Sequence, residues 1–484
     1  MRVSSLRRAL WTVPALGCAT LLALASVPSA TARPATDSGP AACASLPSRV
    51  GGIGGIQWSR PTASRCGQAT SRGGGGTPPS PPYRGSPPLT FHGGNTAGTS
   101  GTPGELTVTP VYWLPSGFTV PASYRALINQ FIADSAAASG ANTNVFSVLT
   151  QYTTASGSHL QYKIHTGTPI TDTTAFPANG CTPDSGQIYS SGAGYSRCIT
   201  NAQLLTEAKN FTTAHALPNK DLAHLYMYFL PKGIETCFSS ANGAHGGTCS
   251  INANPGFCGY HAFSAPPLVA DMNYAVVDSP LGWTCSSDAG SNTGGNQTPN
   301  GNIDADSEIS ITSHEVNETI TDPEGTAWLD GAGNENGDDC AYVFGDSASF
   351  QGSSGAEFNQ TINGHHYFIQ TEFSNNDFAK NPNFACAQGE EFVNIAPSSG
   401  PASSAATASG GGYASGETVK ITYSTGLASP KSVAVCHTTA TGTGTFSCSG
   451  HIPAPASAGA TGNHKITAKG VTSLRSSTTV FTLT

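Results

Sequence analysis

The chain has few charged residues and no basic stripe. Its 484 residues include 21 Lys and Arg against 29 Asp and Glu, a formal net charge of −8 at pH 7. Proteins that bind nucleic acid or anionic membranes present clustered positive charge. The composition therefore argues against both partners, and we expect a monomer that acts on a protein, a peptide or a cell-wall component.

Two further features are missing. After residue 32, no stretch approaches the roughly 20 consecutive apolar residues that a membrane-spanning helix needs. The chain also lacks G-x-S-x-G, the turn that carries the nucleophile in many serine hydrolases. These absences argue against a membrane span and against serine hydrolysis.

The first 32 residues indicate a secretory signal peptide. They combine arginines near the N-terminus, an apolar run and a stretch of small residues, with cleavage expected near Ala30 to Ala32. Cys18 lies inside the apolar run, so that 12 of the 13 cysteines remain after cleavage. An even number in an exported chain favours disulfides, and we expect a secreted protein.

Spacing suggests three local disulfides, Cys43–Cys66, Cys181–Cys198 and Cys436–Cys448. The other six cysteines leave the pairing open: Cys237, Cys249, Cys258, Cys285, Cys340 and Cys386. A bond between Cys340 and Cys386 would brace the segment that carries Glu335. Each bond could contribute about 2–4 kcal/mol of stability.

Composition divides the remaining chain into three parts. Residues 33–104 are dominated by Gly, Pro, Ser and Thr, and are expected to be a disordered tether or a pro-segment. Residues 105–392 alternate strand and helix patterns, which predicts an α+β domain with a mixed sheet. Residues 393–484 show period-two alternation with frequent turns, typical of an all-β sandwich resembling bacterial immunoglobulin-like domains.

Acidic residues concentrate between Ile309 and Cys340, around a predicted helix from Ile309 to Thr321. Asp306 or Ser307 would cap this helix, and Asp322-Pro323 would end it. One helical turn stacks His314 over Glu318, with Glu315 beside them. Ile309, Val316 and Ile320 form an apolar stripe, which predicts that the His/Glu face is left free.

The sequence His314-Glu315-x-x-Glu318 is similar to the zinc-protease motif H-E-x-x-H. In that motif the first and fifth residues bind zinc and the second is the general base. A carboxylate is also a zinc ligand, so we predict zinc bound by His314 and Glu318, with Glu315 as general base. The alternative is a solvated acidic helix whose oxygens bind calcium.

A third ligand is suggested by resemblance to thermolysin-like enzymes, in which it is a glutamate in an N-E-x-x-[ST]-D-like segment. Asn334 to Asp339 is similar to that segment. The resemblance implies Glu335 as the third zinc ligand and Asp339 as the partner that orients His314, with Asp338 where the family has Ser or Thr.

Four other residues are candidates for the surroundings of the site. Asp322 ends the predicted helix, and His366 precedes a strand-like run. His261 and Tyr260 lie among aromatic residues beside Cys258. We expect packed side chains at His261 and Tyr260 by default, with a role in lining the cleft as the alternative.

Several segments together resemble the EXORDIUM / phosphate-induced protein family of plants. They are LTFHGG (89–94), VYWLP (111–115), the segment 258–261, ITDP (320–323) and a glutamate shortly before C-x-x-x-[YF]-G (340–345). Secreted bacterial relatives often carry S-H-E-[LIV]-x-E-x-x-T-D-P, which residues 313–323 match closely. Plant members lack the His-Glu pair, so the resemblance implies a shared fold more firmly than catalysis.

Two functions follow as hypotheses. The first is a secreted zinc metallopeptidase-like hydrolase with a zincin-like domain, in which the sheet packs on the metal-site helix. The second is a non-catalytic extracellular or cell-wall binding protein of the EXORDIUM-like type, in which the acidic cluster is structural.

Overall fold

A computed structural model describes residues 53–58, 83–183, 195–238, 249–250, 257–263, 268–273, 298–345, 350–351 and 357–484. The predicted signal peptide, most of the predicted tether, and Cys43, Cys66 and Cys285 lie outside the described residues. The described chain is a mixed α+β structure rich in strands, as predicted for the fold class.

A seven-stranded mixed sheet forms the centre of the larger part of the chain. Its order is β1-β6-β7-β5-β2-β3, and β4 also pairs with β2. β6 is antiparallel to both of its neighbours, and the remaining pairs are parallel. The strands are Ile53–Trp58 (β1), Glu105–Trp113 (β2), Lys163–Thr166 (β3), Ile170–Asp172 (β4), His224–Leu230 (β5), Phe257–Phe263 (β6) and Leu268–Asn273 (β7).

Strand β5 shows how the sheet separates two apolar layers. Alternate side chains of a strand point to opposite faces. Leu225, Met227 and Phe229 belong to the main core, whereas Tyr226 and Tyr228 join the core on the opposite face. The helix Ala122–Ala137 (α1) packs in the first layer and Asn201–Ala214 (α2) in the second.

The acidic helix is longer than predicted and is not solvated. It runs over Ile303–Thr321 (α3), because Asn302 rather than Asp306 or Ser307 is its N-cap, accepting from the backbone N–H of Ala305. It ends at Asp322, as predicted. All residues from 305 to 321 are buried, so the expectation of a free His/Glu face was wrong. Both the apolar stripe and the polar face are covered by other elements.

Smaller elements complete this part of the chain. A short helix, Asn336–Asp339 (α4), follows α3 and packs against it. Further helical turns are Val145–Gln151, Asn375–Lys380 and Pro382–Phe384. Short paired strands are Thr90–Phe91 with Trp328–Leu329, Gly98–Thr99 with Thr102–Pro103, Arg197–Thr200 with Ile234–Cys237, Phe350–Gln351 with Glu357–Phe358, Gln360–Ile362 with His365–Tyr367, and Glu372–Phe373 with Cys386–Ala387.

Four disulfides join described cysteines. Three of them, Cys181–Cys198, Cys340–Cys386 and Cys436–Cys448, confirm pairings suggested by the sequence. The fourth, Cys237–Cys249, resolves one pairing that the sequence left open. None of the described helices is both long enough and apolar enough to cross a bilayer.

Residues 392–484 form two β-sheets around an apolar core of their own. Arg475 connects this region to the rest of the chain: its Nε lies 2.9 Å from Asp377 Oδ2. Its Nη2 also donates to the carbonyl oxygen of Phe384 at 2.6 Å. The first sheet contains Phe392–Ala396, Ala405–Gly411 and Phe446–His451; the second contains Ser399–Gly400, Thr418–Ser424, Ser432–Thr439, Gly462–Gly470 and Ser476–Leu483; a short helix is Pro455–Ala458.

Candidate metal centre

The centre of the site is a pair of side chains on α3. His314 and Glu318 are one turn apart, and His314 Nε2 lies 3.0 Å from Glu318 Oε2. Both side chains are fully buried. The local helical period therefore brings together the two residues that the sequence singled out.

Helix α4 adds a second carboxylate to this pair. Asp338 Oδ1 lies 3.8 Å from His314 Nε2, and the Asp338 backbone N–H donates to Glu318 Oε1 at 2.8 Å. Gly337 permits the close approach, since a Cβ there would lie 2.8 Å from His314 Nδ1 and 2.9 Å from Glu318 Oε1. His314, Glu318 and Asp338 thus form a three-residue group whose ligand atoms all lie within 4.8 Å of one another.

A second group shares Glu318 and is built around His261 on β6. His261 Nδ1 lies 3.4 Å from Glu315 Oε2 and 3.9 Å from Glu318 Oε2. Its Nε2 lies 3.2 Å from the carbonyl oxygen of Asp322. His261 is only 1% exposed and faces the acidic helix.

Glu335 lies on the His261 side of the site. It precedes α4 as its N-cap, and its Oε1 is 3.7 Å from His261 Nε2. Among the described residues it belongs to neither three-residue group. The structure therefore groups Asp338, rather than Glu335, with His314 and Glu318.

Asp339 has different neighbours from those implied by the thermolysin-like pattern. Its Oδ1 accepts from the Asn334 amide at 3.4 Å, and its backbone oxygen accepts from the Arg84 N–H at 2.8 Å. Nδ1 of His314 instead meets the side-chain amide of Gln370 at 2.8 Å. Gln370 thus holds the position beside the imidazole that the sequence assigned to Asp339.

The remaining candidates divide between the site and its surroundings. Asp322 is buried at the end of α3, where its Oδ1 accepts the Ala327 N–H at 2.7 Å. Tyr260 donates to Asn201 Oδ1 at 3.1 Å and packs among aromatic rings, which places it with the default interpretation. His366 stacks on Phe358 and joins neither group of the described chain.

The site has a large excess of buried acid groups. Ten carboxyl side chains of the described region are at most 4% exposed: Asp306, Glu308, Glu315, Glu318, Asp322, Asp330, Glu335, Asp338, Asp339 and Glu372. Burial raises the pKa of Glu318, Asp338, Asp339 and Glu372 well above the ordinary range. Burial also lowers the pKa of His314 to about 4, against the opposite effect of Asp338. Without a cation, burial therefore favours the uncharged forms of these carboxyl groups and of His314.

The donor set fits a divalent cation that accepts nitrogen and oxygen ligands. Buried charges in proteins are paired or coordinate metals. In the described chain, His314 Nε2 and Glu318 Oε2 make no hydrogen bond although both are buried. Imidazole and carboxylate ligands suit zinc, whereas calcium prefers oxygen ligands alone.

Three residues of the site were missed by the sequence reasoning. Gln370 contacts His314, and Glu372 Oε2 accepts from the Asn336 amide at 3.0 Å. The charge of Arg84 acts on Asp338 and Asp339, while burial lowers the pKa of Arg84 to about 10. The polar pair Gln370 and Glu372, two positions apart between apolar neighbours, was the signal that could have indicated a buried polar face.

No protein-family model and no curated protein matches the chain. Among solved structures, macromomycin is similar with a TM-score of 0.16 and 10% identity, over 19% of this chain and 99% of macromomycin. A β-glucosidase from Erythrobacter marinus is similar with a TM-score of 0.16 and 11% identity, over 82% of this chain and 49% of the glucosidase chain. Similarity at this level supports no inference about fold family or activity.

Proposed function

We propose that the protein is a secreted zinc-dependent hydrolase of the metallopeptidase type, acting on extracellular protein or peptide. The observation that carries this proposal is the convergence of His314 Nε2, Glu318 Oε2 and Asp338 Oδ1 on one buried point. These three residues would hold the ion, with Asp338 replacing Glu335 as the third ligand. The four disulfides agree with an oxidising compartment.

Glu315 and His261 supply the proton-transfer groups of this proposal. A divalent ion would supply Lewis acidity towards a carbonyl oxygen and would lower the pKa of water. Glu315 would accept the proton of the attacking water as general base. His261, 3.4 Å from Glu315 Oε2, would hold that carboxylate in position.

The finer fold assignment belongs to the same proposal. A mixed sheet beside a buried His/Glu helix is the arrangement expected of a zincin-like domain, and EXORDIUM-like sequence segments accompany it. The two packed sheets of residues 392–484 support an immunoglobulin-like sandwich. Its expected role is spacing or attachment, because neither metal-ligand group lies in it.

Metal analysis tests the proposal most directly. The purified protein should contain zinc, and His314→Ala should contain none while retaining its circular dichroism spectrum. His366→Ala is the matched control, since His366 lies away from both groups and should leave the zinc content unchanged. A wild-type protein free of zinc and unable to bind added zinc would remove the basis of the hydrolase.

A second experiment separates metal binding from catalysis. Glu315→Gln removes the proposed base but keeps the size of the side chain and leaves His314, Glu318 and Asp338 intact. It should retain zinc and lose hydrolysis of an unstructured protein substrate. Equal activity in Glu315→Gln and wild type would exclude this mechanism.

Complete burial of the site favours one alternative, a non-catalytic extracellular binding protein in which the ion is structural. His314, Glu315 and Glu318 are all 0% exposed. In this alternative, removing zinc lowers the melting temperature and no peptide is hydrolysed under any condition. The hydrolase proposal instead requires a state in which substrate reaches the site.

A further inference from the structure

Strand β1 occupies the outer edge of β6, the strand that carries His261. The two strands are antiparallel, with Ile53 opposite Ala262, Gly54 opposite His261 and Gln57 opposite Gly259. β1 is the terminal strand of the sheet. Its backbone therefore runs directly beside the histidine that contacts Glu315.

β1 also lies against both helices that supply the candidate metal ligands. Cα atoms of β1 are within 8 Å of Cα atoms in α3 and in α4. α3 carries His314 and Glu318, and α4 carries Asp338. β1 therefore neighbours β6, α3 and α4, the three elements that carry the residues of both ligand groups.

The pairing of β1 is the least regular in the sheet. Its register with β6 shifts between Gly54 and Ile56 and again between Gln57 and Trp58. The β6–β7 ladder has five residue pairs without a shift, and the other ladders described for this sheet are also regular. Two glycines inside β1 weaken it further, because glycine costs backbone entropy and packs no side chain. Both features weaken the pairing of β1 with β6.

The sequence that follows β1 leaves it joined to the domain by a long polar connection. Residues 59–82 include Gly73 to Gly76 and the run PPSPP, and the described chain resumes at Tyr83. An extended peptide that adds to a sheet edge gains affinity from its main chain, whatever its sequence. β1 makes this kind of contact within its own chain.

We propose that the outer edge of β6 is a docking edge for an extended polypeptide, and that β1 is its displaceable built-in occupant. This rests on the proposed function, because it identifies how a peptide substrate reaches the buried ligand groups. With β1 in place, the edge is filled and the site is closed. With β1 released, an extended substrate lies antiparallel to β6, beside His261 and Glu315.

The test keeps the full chain intact during folding. Gly73 to Gly76 are replaced by the recognition sequence of a specific protease, and the purified protein is cut there and passed over a sizing column. A fluorescent peptide with the sequence of residues 53–58 is then titrated into cut and uncut protein, and anisotropy is measured. A tethered occupant has an effective concentration in the millimolar range, so the cut protein should bind at least about tenfold more tightly.

A peptide with proline at the positions of Ile56 and Gln57 is the matched control. Neighbouring N–H groups of a strand point to opposite sides, so one of these prolines removes a bond to β6. This peptide should bind at least about tenfold more weakly. The proposal is overturned if cut and uncut protein bind the native peptide equally, or if neither binds it. It is also overturned if the N-terminal fragment produced by the cut, which contains β1, stays bound to the protein in the presence of excess peptide.

Failure of this proposal and failure of the hydrolase can be told apart. Zinc in the wild-type protein without peptide binding after the cut removes the docking edge and leaves the metal centre. Peptide binding by a protein that takes up no zinc removes the hydrolase and leaves β6 as a binding edge.

Discussion

The side-chain amide of Gln370 donates to Nδ1 of His314 at 2.8 Å and to the carbonyl oxygen of Gly337 at 3.0 Å. Nδ1 is therefore an acceptor here, and the ring proton of neutral His314 is on Nε2. Cation binding at Nε2 requires that proton to move to Nδ1. A turn of the Gln370 amide would then present its oxygen to the new N–H.

Gln370→Leu should weaken zinc binding about 10- to 100-fold. The hydrogen bond between His314 Nδ1–H and the Gln370 side chain is stronger with zinc bound than without it, because the cation polarises the ring N–H. Losing this bond therefore costs more in the zinc-bound state. Competition with a metal-sensitive dye measures the affinity. Gln360→Leu is the control, because Gln360 is also buried but donates to the carbonyl oxygen of Gln388 instead. Equal affinities of wild type and Gln370→Leu would show that Gln370 does not orient the imidazole.

Gly337→Ala should separate α4 from α3. The added methyl group would lie 2.8 Å from His314 Nδ1 and 2.9 Å from Glu318 Oε1, both in a buried site. Overpacking of this kind costs about 1–3 kcal/mol, which urea unfolding can measure. Zinc affinity should fall as well, since Asp338 moves with α4.

Gly101→Ala is the matched control for that substitution, because a Cβ at Gly101 would meet nothing within 4 Å. It should change neither stability nor zinc affinity. A Gly337→Ala protein with unchanged zinc affinity would mean that α4 does not supply a ligand.

The disulfide Cys340–Cys386 anchors the end of α4, since Cys340 is the C-cap residue of this helix. Replacing both cysteines with serine should lower stability by about 2–4 kcal/mol and also weaken zinc binding, because Asp338 loses its support. The double replacement at Cys436 and Cys448 should lower stability without affecting zinc, since that bond lies in residues 392–484. Melting curves with and without zinc distinguish the two effects. An equal loss of zinc affinity in both variants would contradict the bracing role.

The part of the site set by local geometry was predictable. His314 and Glu318 are one helical turn apart, so a helix alone places them together, and the Asp322-Pro323 end is a local steric effect. The start of α3 was not predictable from the apolar stripe, because the first turns bury polar residues. The pattern of apolar side chains gives no signal for such turns.

Contacts between distant segments were the part that the sequence could not supply. His261 and Glu315 are 54 residues apart, and His314 and Gln370 are 56 apart. Their meeting depends on how β6 and the segment that precedes Glu372 pack on α3. The third member of the ligand group was mispredicted for a similar reason. α4 has only four residues and begins after Glu335, so that Asp338, and not Glu335, lies against His314 and Glu318.

Glu390 should make the stability of the protein fall as pH rises. Burial, and then the charge of Glu391, raises the pKa of Glu390 from 4.5 to about 8. Between these values the folded protein binds a proton that the unfolded chain has released, so the free energy of unfolding decreases with rising pH. Its contribution is fully present below pH 4.5 and is lost as pH passes about 8.

Glu390→Gln should flatten this dependence in melting curves, whereas Glu324→Gln, at an exposed hydrogen bond to Asn95, should not. A wild-type profile that Glu390→Gln leaves unchanged across this window would assign the pH dependence to other groups.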